Sequence, residues 1–255
     1  MTPADGVVGD PNRFGDPNRF GTPAFYASLG RAFVVMCGVI PLLFAIELLD
    51  VWTHHELDAR GGIIPHDPSG LDGVVFAPFL HANFNHLYGN SVPLLLTGTF
   101  VLATGSRRFL AITAVVALAS GLGVWFTGDP GTVVIGASGV IFGYLGFLLA
   151  RGVVERSRWG FAVGLLVFLL YGTQLVNVLP TDARLSWQAH LFGLGGGVVA
   201  AFVFRRRRTA PARPAVPPPT VGRPGGPPTV GPTPTVGPTP PLGPASPDRT
   251  TAKPE

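Results

Sequence analysis

The chain has 255 residues, of which 47% are hydrophobic and only 13% charged, with a mean hydropathy of +0.40; this excludes a highly charged, disordered chain and points to a polytopic membrane protein. The net charge of +4 comes from arginines gathered beside apolar segments rather than interleaved with aromatics, so nucleic acid is not an expected partner. A lone cysteine, Cys37, excludes an intrachain disulfide and argues against a thiolate metal cluster.

Residues 1–28 contain a direct repeat, Gly9-Asp10-Pro11-Asn12-Arg13-Phe14 followed by Gly15-Asp16-Pro17-Asn18-Arg19-Phe20, and read as a flexible cytoplasmic tail. Apolar segments follow at 31–52, 86–105, 108–127, 138–151, 159–177 and 187–204, predicting six membrane spans. No cleavable leader is expected: the first long apolar run starts only near Arg31 and gives way to acidic residues, so the first span should serve as an uncleaved signal. Arginines stand before span 1, between spans 2 and 3, between spans 4 and 5, and after span 6 at Arg205 to Arg208. The alternate loops are acidic, which puts both termini in the cytoplasm. The expected fold is therefore all-α, a six-span transmembrane helical bundle over 29–204. Residues 205–255 are an Arg cluster and a Pro/Gly/Thr-rich segment expected to be a disordered cytoplasmic tail.

Span 4 is too short for a bilayer. Ser138 lies 13 residues before Arg151, roughly 20 Å of helix against a hydrocarbon layer about 30 Å thick. The preceding Asp129-Pro130-Gly131 and the β-branched run that follows predict irregular backbone, which is tolerated at that depth only where protein buries it or water reaches it. Ser138 would then sit at the floor of an outward-facing cavity, at a helix N-terminus with unpaired N–H groups. Gly136 and Gly139 would allow close backbone approach. Taken alone, the same segment reads more readily as an ordinary small-residue helix contact.

In span 6, His190 lies 15 residues before Arg205, at nearly the depth of Ser138, and an intramembrane histidine is a functional-site hypothesis by default. His190, Gly193 and Gly197 share a helical face. Span 4 offers Gly139, Gly143 and Gly146, so two glycine faces could pack and bring Ser138 to His190. A neutral imidazole could take a hydroxyl proton and return it to a leaving amine. At the start of span 2, His86 and Asn90 are spaced i, i+4 and could donate hydrogen bonds into the cavity or satisfy each other. His81 reads as a loop anchor. A zinc site built from His81, His86 and His190 is not expected, since no carboxylate ligand pattern accompanies them.

These residues resemble the rhomboid intramembrane serine proteases. The resemblance spans about residues 31–204 and rests on His81-x4-His86-x3-Asn90, Gly136-Ala137-Ser138-Gly139 and Ala189-His190-x2-Gly193-x3-Gly197, in the right order and spans. It implies a Ser138 nucleophile with His190 as general base and acid, a dyad without an acidic member. His86, Asn90 and the Ser138 backbone N–H would hold the oxyanion, with His81, Gly136, Gly139, Phe142, Gly193 and Gly197 supporting the site. The implied activity is a serine endopeptidase of the plasma membrane, opening to the extracytoplasmic side and hydrolysing peptide bonds in or next to transmembrane helices of membrane protein substrates, with no cofactor or metal. The chain departs from the family in two places. Phe142 stands where many bacterial members have tyrosine, and the first outer loop, Asp58-Ala59-Arg60-Gly61-Gly62, lacks the frequent Trp-Arg pair. The alternative is a non-catalytic relative that binds transmembrane helices.

Overall fold

The computed structural model describes residues 21–156, 158–171 and 186–205. The N-terminal repeat, the segment after residue 205 and the last part of expected span 5 lie outside them, as does the whole of a second unit, Thr209–Glu255. Among the described residues the structure is helical without strands.

Helix α1 (Pro23–Trp52) starts where Thr22 accepts a hydrogen bond from the Phe25 N–H at 3.1 Å and Pro23 occupies the first helical turn, a position proline suits because its missing donor costs nothing there. The helix therefore begins earlier than the apolar run, and residues 23–28, expected in the tail, are helical. A loop with two short helices, α2 (Glu56–Gly61) and α3 (Gly73–Phe76), leads to α4 (Phe84–Leu102). Then come α5 (Ser106–Thr127), α6 (Ser138–Val154), α7 (Arg158–Tyr171) and α8 (Trp187–Val203). Helices α1, with 30 residues, and α5, with 22, are each long and apolar enough to cross a membrane; α6, Gly160–Leu170 and α8 are shorter apolar helices.

Helix α6 is the centre of the bundle. Every residue from Gly139 to Leu148 is buried, as expected of a helix that is apolar all round. Helices α4, α5, α7 and α8 pack against it, and α1 reaches the bundle through α4. The outer surface is apolar: Val34, Leu48 and Trp52 on α1, Leu110 on α5 and Phe202 on α8 are exposed. Glu47, Asp50, Asn90 and His190 are buried instead. Lipid as the surrounding solvent accounts for this reversal. At the far end of α6, Glu155 pairs with Arg108 and, at 2.8 Å, with Arg151, while the Arg108 guanidinium lies 5.3 Å from the centre of the Phe147 ring. This pinned corner ties the start of α5 to the end of α6.

Candidate active site

Between α5 and α6 the backbone is non-helical from Gly128 to Ala137. Val134 exchanges two backbone hydrogen bonds with Ile63, each 2.9 Å, and the Gly136 N–H donates to the Ala77 carbonyl at 2.9 Å. Loop polar groups at this depth are thus met by protein. Gly136 has φ +121°, and a Cβ there would fall 2.7 Å from His86 Cε1 and 2.9 Å from its Nε2. Both the conformation and the space require glycine. Helix α6 then starts at Ser138 with Ala137 as its N-cap and no capping side chain, so side chains leave the first-turn N–H groups uncovered.

Helix α8 carries His190. Its N-cap is Ser186, whose hydroxyl accepts from the Ala189 N–H at 3.3 Å. Two backbone contacts set its distance from α6. A Cβ on Gly193 would lie 2.1 Å from the Gly139 carbonyl oxygen, and one on Gly197 1.8 Å from that of Gly143, so α6 and α8 touch main chain to main chain. The other sides of Gly139 and Gly143 face α5: their added Cβ atoms would meet Ser120 Oγ at 2.2 Å and Val116 Cγ1 at 2.0 Å. Three helices thus close on one stripe of small residues.

His190 Nε2 lies 3.0 Å from Ser138 Oγ. For the hydroxyl to donate, Nε2 must be the unprotonated nitrogen and Nδ1 must carry the proton. Phe142, one turn after Ser138, stacks on the imidazole with centroids 4.3 Å apart and planes 16° from parallel. His190 is 3% exposed, so its ring is held on both its face and its Nε2 edge.

Asn83 caps α4 by accepting from the His86 N–H at 2.9 Å, which starts the helix so that His86 and Asn90 lie on one face. Both approach Gly136, and the buried Asn90 Nδ2 has no hydrogen-bond partner among the described residues. An unused buried donor of this kind costs stability unless a ligand completes it. His81 is 1% exposed, edge-on to His86 with centroids 5.2 Å apart. Burial, and then the neighbouring His86, push its imidazole down to about 4, so it stays neutral. A hydrogen bond with the Phe79 backbone works against that shift and fits the expected loop anchor, while the ring packs edge-on to His86.

Ser138, His86, Gly136 and His190 line a cavity of about 1090 Å³ that also reaches Ser120 and Gln188. Sequence reasoning passed over the last two. Ser120 Oγ donates to the Ala189 carbonyl at 2.9 Å, and Gln188 Nε2 donates to the Thr127 carbonyl at 3.4 Å, so each ties α8 to α5 beside His190. Ser186, immediately before the apolar run of α8, had a readable N-cap signature; Ser120, inside an apolar span, had none.

The sequence matches the Rhomboid domain family over residues 69–207. It is 42% identical over 184 residues to "Uncharacterized protein Mb1372" of Mycobacterium bovis, covering 69% of this chain and 75% of that protein. It is 40% identical over 178 residues to "Uncharacterized protein ML1171" of Mycobacterium leprae, covering 67% and 70%. A Bacillus subtilis protein named "Putative rhomboid protease YdcA" is 31% identical over 185 residues, covering 68% of this chain and 92% of that one.

Proposed function

The chain belongs to the rhomboid family, and we propose that it is an intramembrane serine endopeptidase that cleaves peptide bonds in or next to transmembrane helices of membrane proteins. The observation that carries this reading is the 3.0 Å approach of His190 Nε2 to Ser138 Oγ in a cavity inside a bundle with an apolar exterior. In this reading Ser138 Oγ attacks the scissile carbonyl carbon while His190 Nε2 takes its proton. The tetrahedral oxyanion forms beside Gly136, where His86, Asn90 and the Ser138 N–H are the nearby donors, held in place before the charge develops. The imidazolium then gives its proton to the leaving amine, and water, activated by the same nitrogen, frees the acyl group from Ser138. Stacking on Phe142 keeps the ring in place without a hydroxyl.

The same reading makes α1, α4, α5, α6, α7 and α8 six spans of a plasma membrane protein. The arginine-rich ends face the cytoplasm and the cavity opens to the opposite side. Residues 23–204 form the protease domain, flanked by cytoplasmic tails.

A fluorophosphonate probe tests the reading without a known substrate. The detergent-solubilised protein should form an adduct on Ser138, located by mass spectrometry, and both Ser138→Ala and His190→Ala should abolish it while leaving the melting temperature near that of wild type. Folded protein that never labels and never cleaves a transmembrane substrate would instead identify a helix-binding relative without catalysis.

A further inference from the structure

Where α1 gives way to α2, three side chains that the proposed chemistry leaves unused converge, Asp50 at the end of α1, His55 in the connecting turn and Asp58 in α2, and Glu47 lies one turn before Asp50 on α1. Asp50, His55 and Asp58 each offer a ligand atom within 4.8 Å of the other two. His55 Nδ1 lies 2.8 Å from Asp50 Oδ2 and 3.9 Å from Asp58 Oδ2. The second Asp50 oxygen, Oδ1, accepts the backbone N–H groups of Leu57 at 2.9 Å and Asp58 at 3.1 Å. Those two donors orient the carboxylate and leave Oδ2 for the cluster, the arrangement that positions a metal ligand.

Capping of α2 by Asp50 explains part of this geometry, but it does not explain Glu47. That residue sits one turn before Asp50 on the same helical face. It is 1% exposed, and both of its carboxylate oxygens are buried with no hydrogen-bond partner. Asp58 Oδ1 is buried and unpartnered as well. Arg60, the basic residue nearest in sequence, turns instead to Glu56 at 2.8 Å. Carboxylates buried in this way need a cation or a proton.

We propose that Glu47, Asp50, His55 and Asp58 bind a divalent transition-metal ion of the Zn2+ or Mn2+ class at the junction of α1 and α2. Carboxylate oxygens joined by one imidazole nitrogen suit these ions, whereas Ca2+ and Mg2+ take oxygen ligands. Ligand bonds near about 2.1 Å place adjacent donor atoms roughly 3 to 3.5 Å apart, so Asp50, His55 and Asp58, whose ligand atoms lie within 4.8 Å of one another, need only side-chain adjustment. The ion ties the end of α1 to the loop whose Ile63 pairs with Val134, just ahead of Ser138. This assignment stands apart from the protease reading.

The test is calorimetric titration of the full-length, chelator-stripped protein in detergent with ZnCl2 and MnCl2, and with CaCl2 and MgCl2 in parallel, together with thermal unfolding. Saturable binding of one Zn2+ or Mn2+ per chain is expected, with a higher melting temperature. Glu47→Gln and Asp58→Asn should each weaken it by at least about tenfold. His55→Gln changes a side chain that is 53% exposed and keeps a hydrogen-bond donor for Asp50, so it should keep a metal-free melting temperature near that of wild type while losing affinity; it decides the matter if a carboxylate variant fails to fold. Absence of saturable binding at millimolar metal, binding unchanged in the variants, or preference for Ca2+ would each overturn the assignment.

Discussion

Single atoms account for most of what the candidate site can do. Ser138 Oγ and His190 Nε2 meet at 3.0 Å, while Asn90 Nδ2 waits unpaired near Gly136. If Asn90 is an oxyanion donor, Asn90→Ala should lower kcat by about 100-fold with little change in KM, measured on a transmembrane substrate. Unchanged kcat would reduce the residue to packing. Ser138, His190, His86 and Asn90 were all legible as polar residues at odds with their apolar surroundings. Ser120 was not, because one hydroxyl in a span bonds its own helix as readily as a neighbour's. Only its reach to the Ala189 carbonyl distinguishes it.

Among the elements, α6 and α8 form the contact on which the site's geometry depends. A Cβ on Gly193 would strike the Gly139 carbonyl oxygen at 2.1 Å, and that oxygen belongs to main chain that cannot turn away. Gly193→Ala should therefore lower stability by about 1–3 kcal/mol and cost activity more than expression, since it pushes His190 from Ser138. Equal melting and equal turnover would reject the contact. The glycine spacing of both helices was visible in the sequence. Which side of Gly139 and Gly143 faced which neighbour was not, because periodicity defines a stripe but does not assign its partners; α5 takes the Cβ side and α8 the carbonyl side. The start of α1 was misjudged for another reason: Thr22 and Pro23 cap a helix whose first turns precede the apolar run.

Across the whole molecule, the corner formed by Arg108, Glu155 and Arg151 ties α5 to α6 and makes stability depend on pH. Burial alone would push the Glu155 carboxyl up, but Arg151, by charge and hydrogen bond, and then Arg108 outweigh it and hold it below the ordinary carboxylate range. A folded-state pKa below the unfolded value of about 4.3 means that the unfolded chain binds more protons between the two. The stabilisation is therefore complete at neutral pH and is lost as pH falls through that window. Glu155→Gln should melt well below wild type at pH 7, by on the order of 3 kcal/mol, and the gap should close in acid below about pH 4. A gap that persists there would place the loss in packing rather than charge.

The helical class, the membrane environment and membership of the rhomboid family were determined by the sequence alone. Apolar run lengths, arginine placement and three ordered motifs are local quantities that need no coordinates to read. Tertiary structure decided what depends on three-dimensional approach. It brought a serine and a histidine 52 residues apart within hydrogen-bond distance, buried His81 edge-on to His86, and gathered Asp50, His55 and Asp58 at one helix junction. Their spacing along the chain resembles no ligand motif. The physical reason is that chain order specifies which faces are apolar, while the distance between two polar atoms is set by how closely those faces pack.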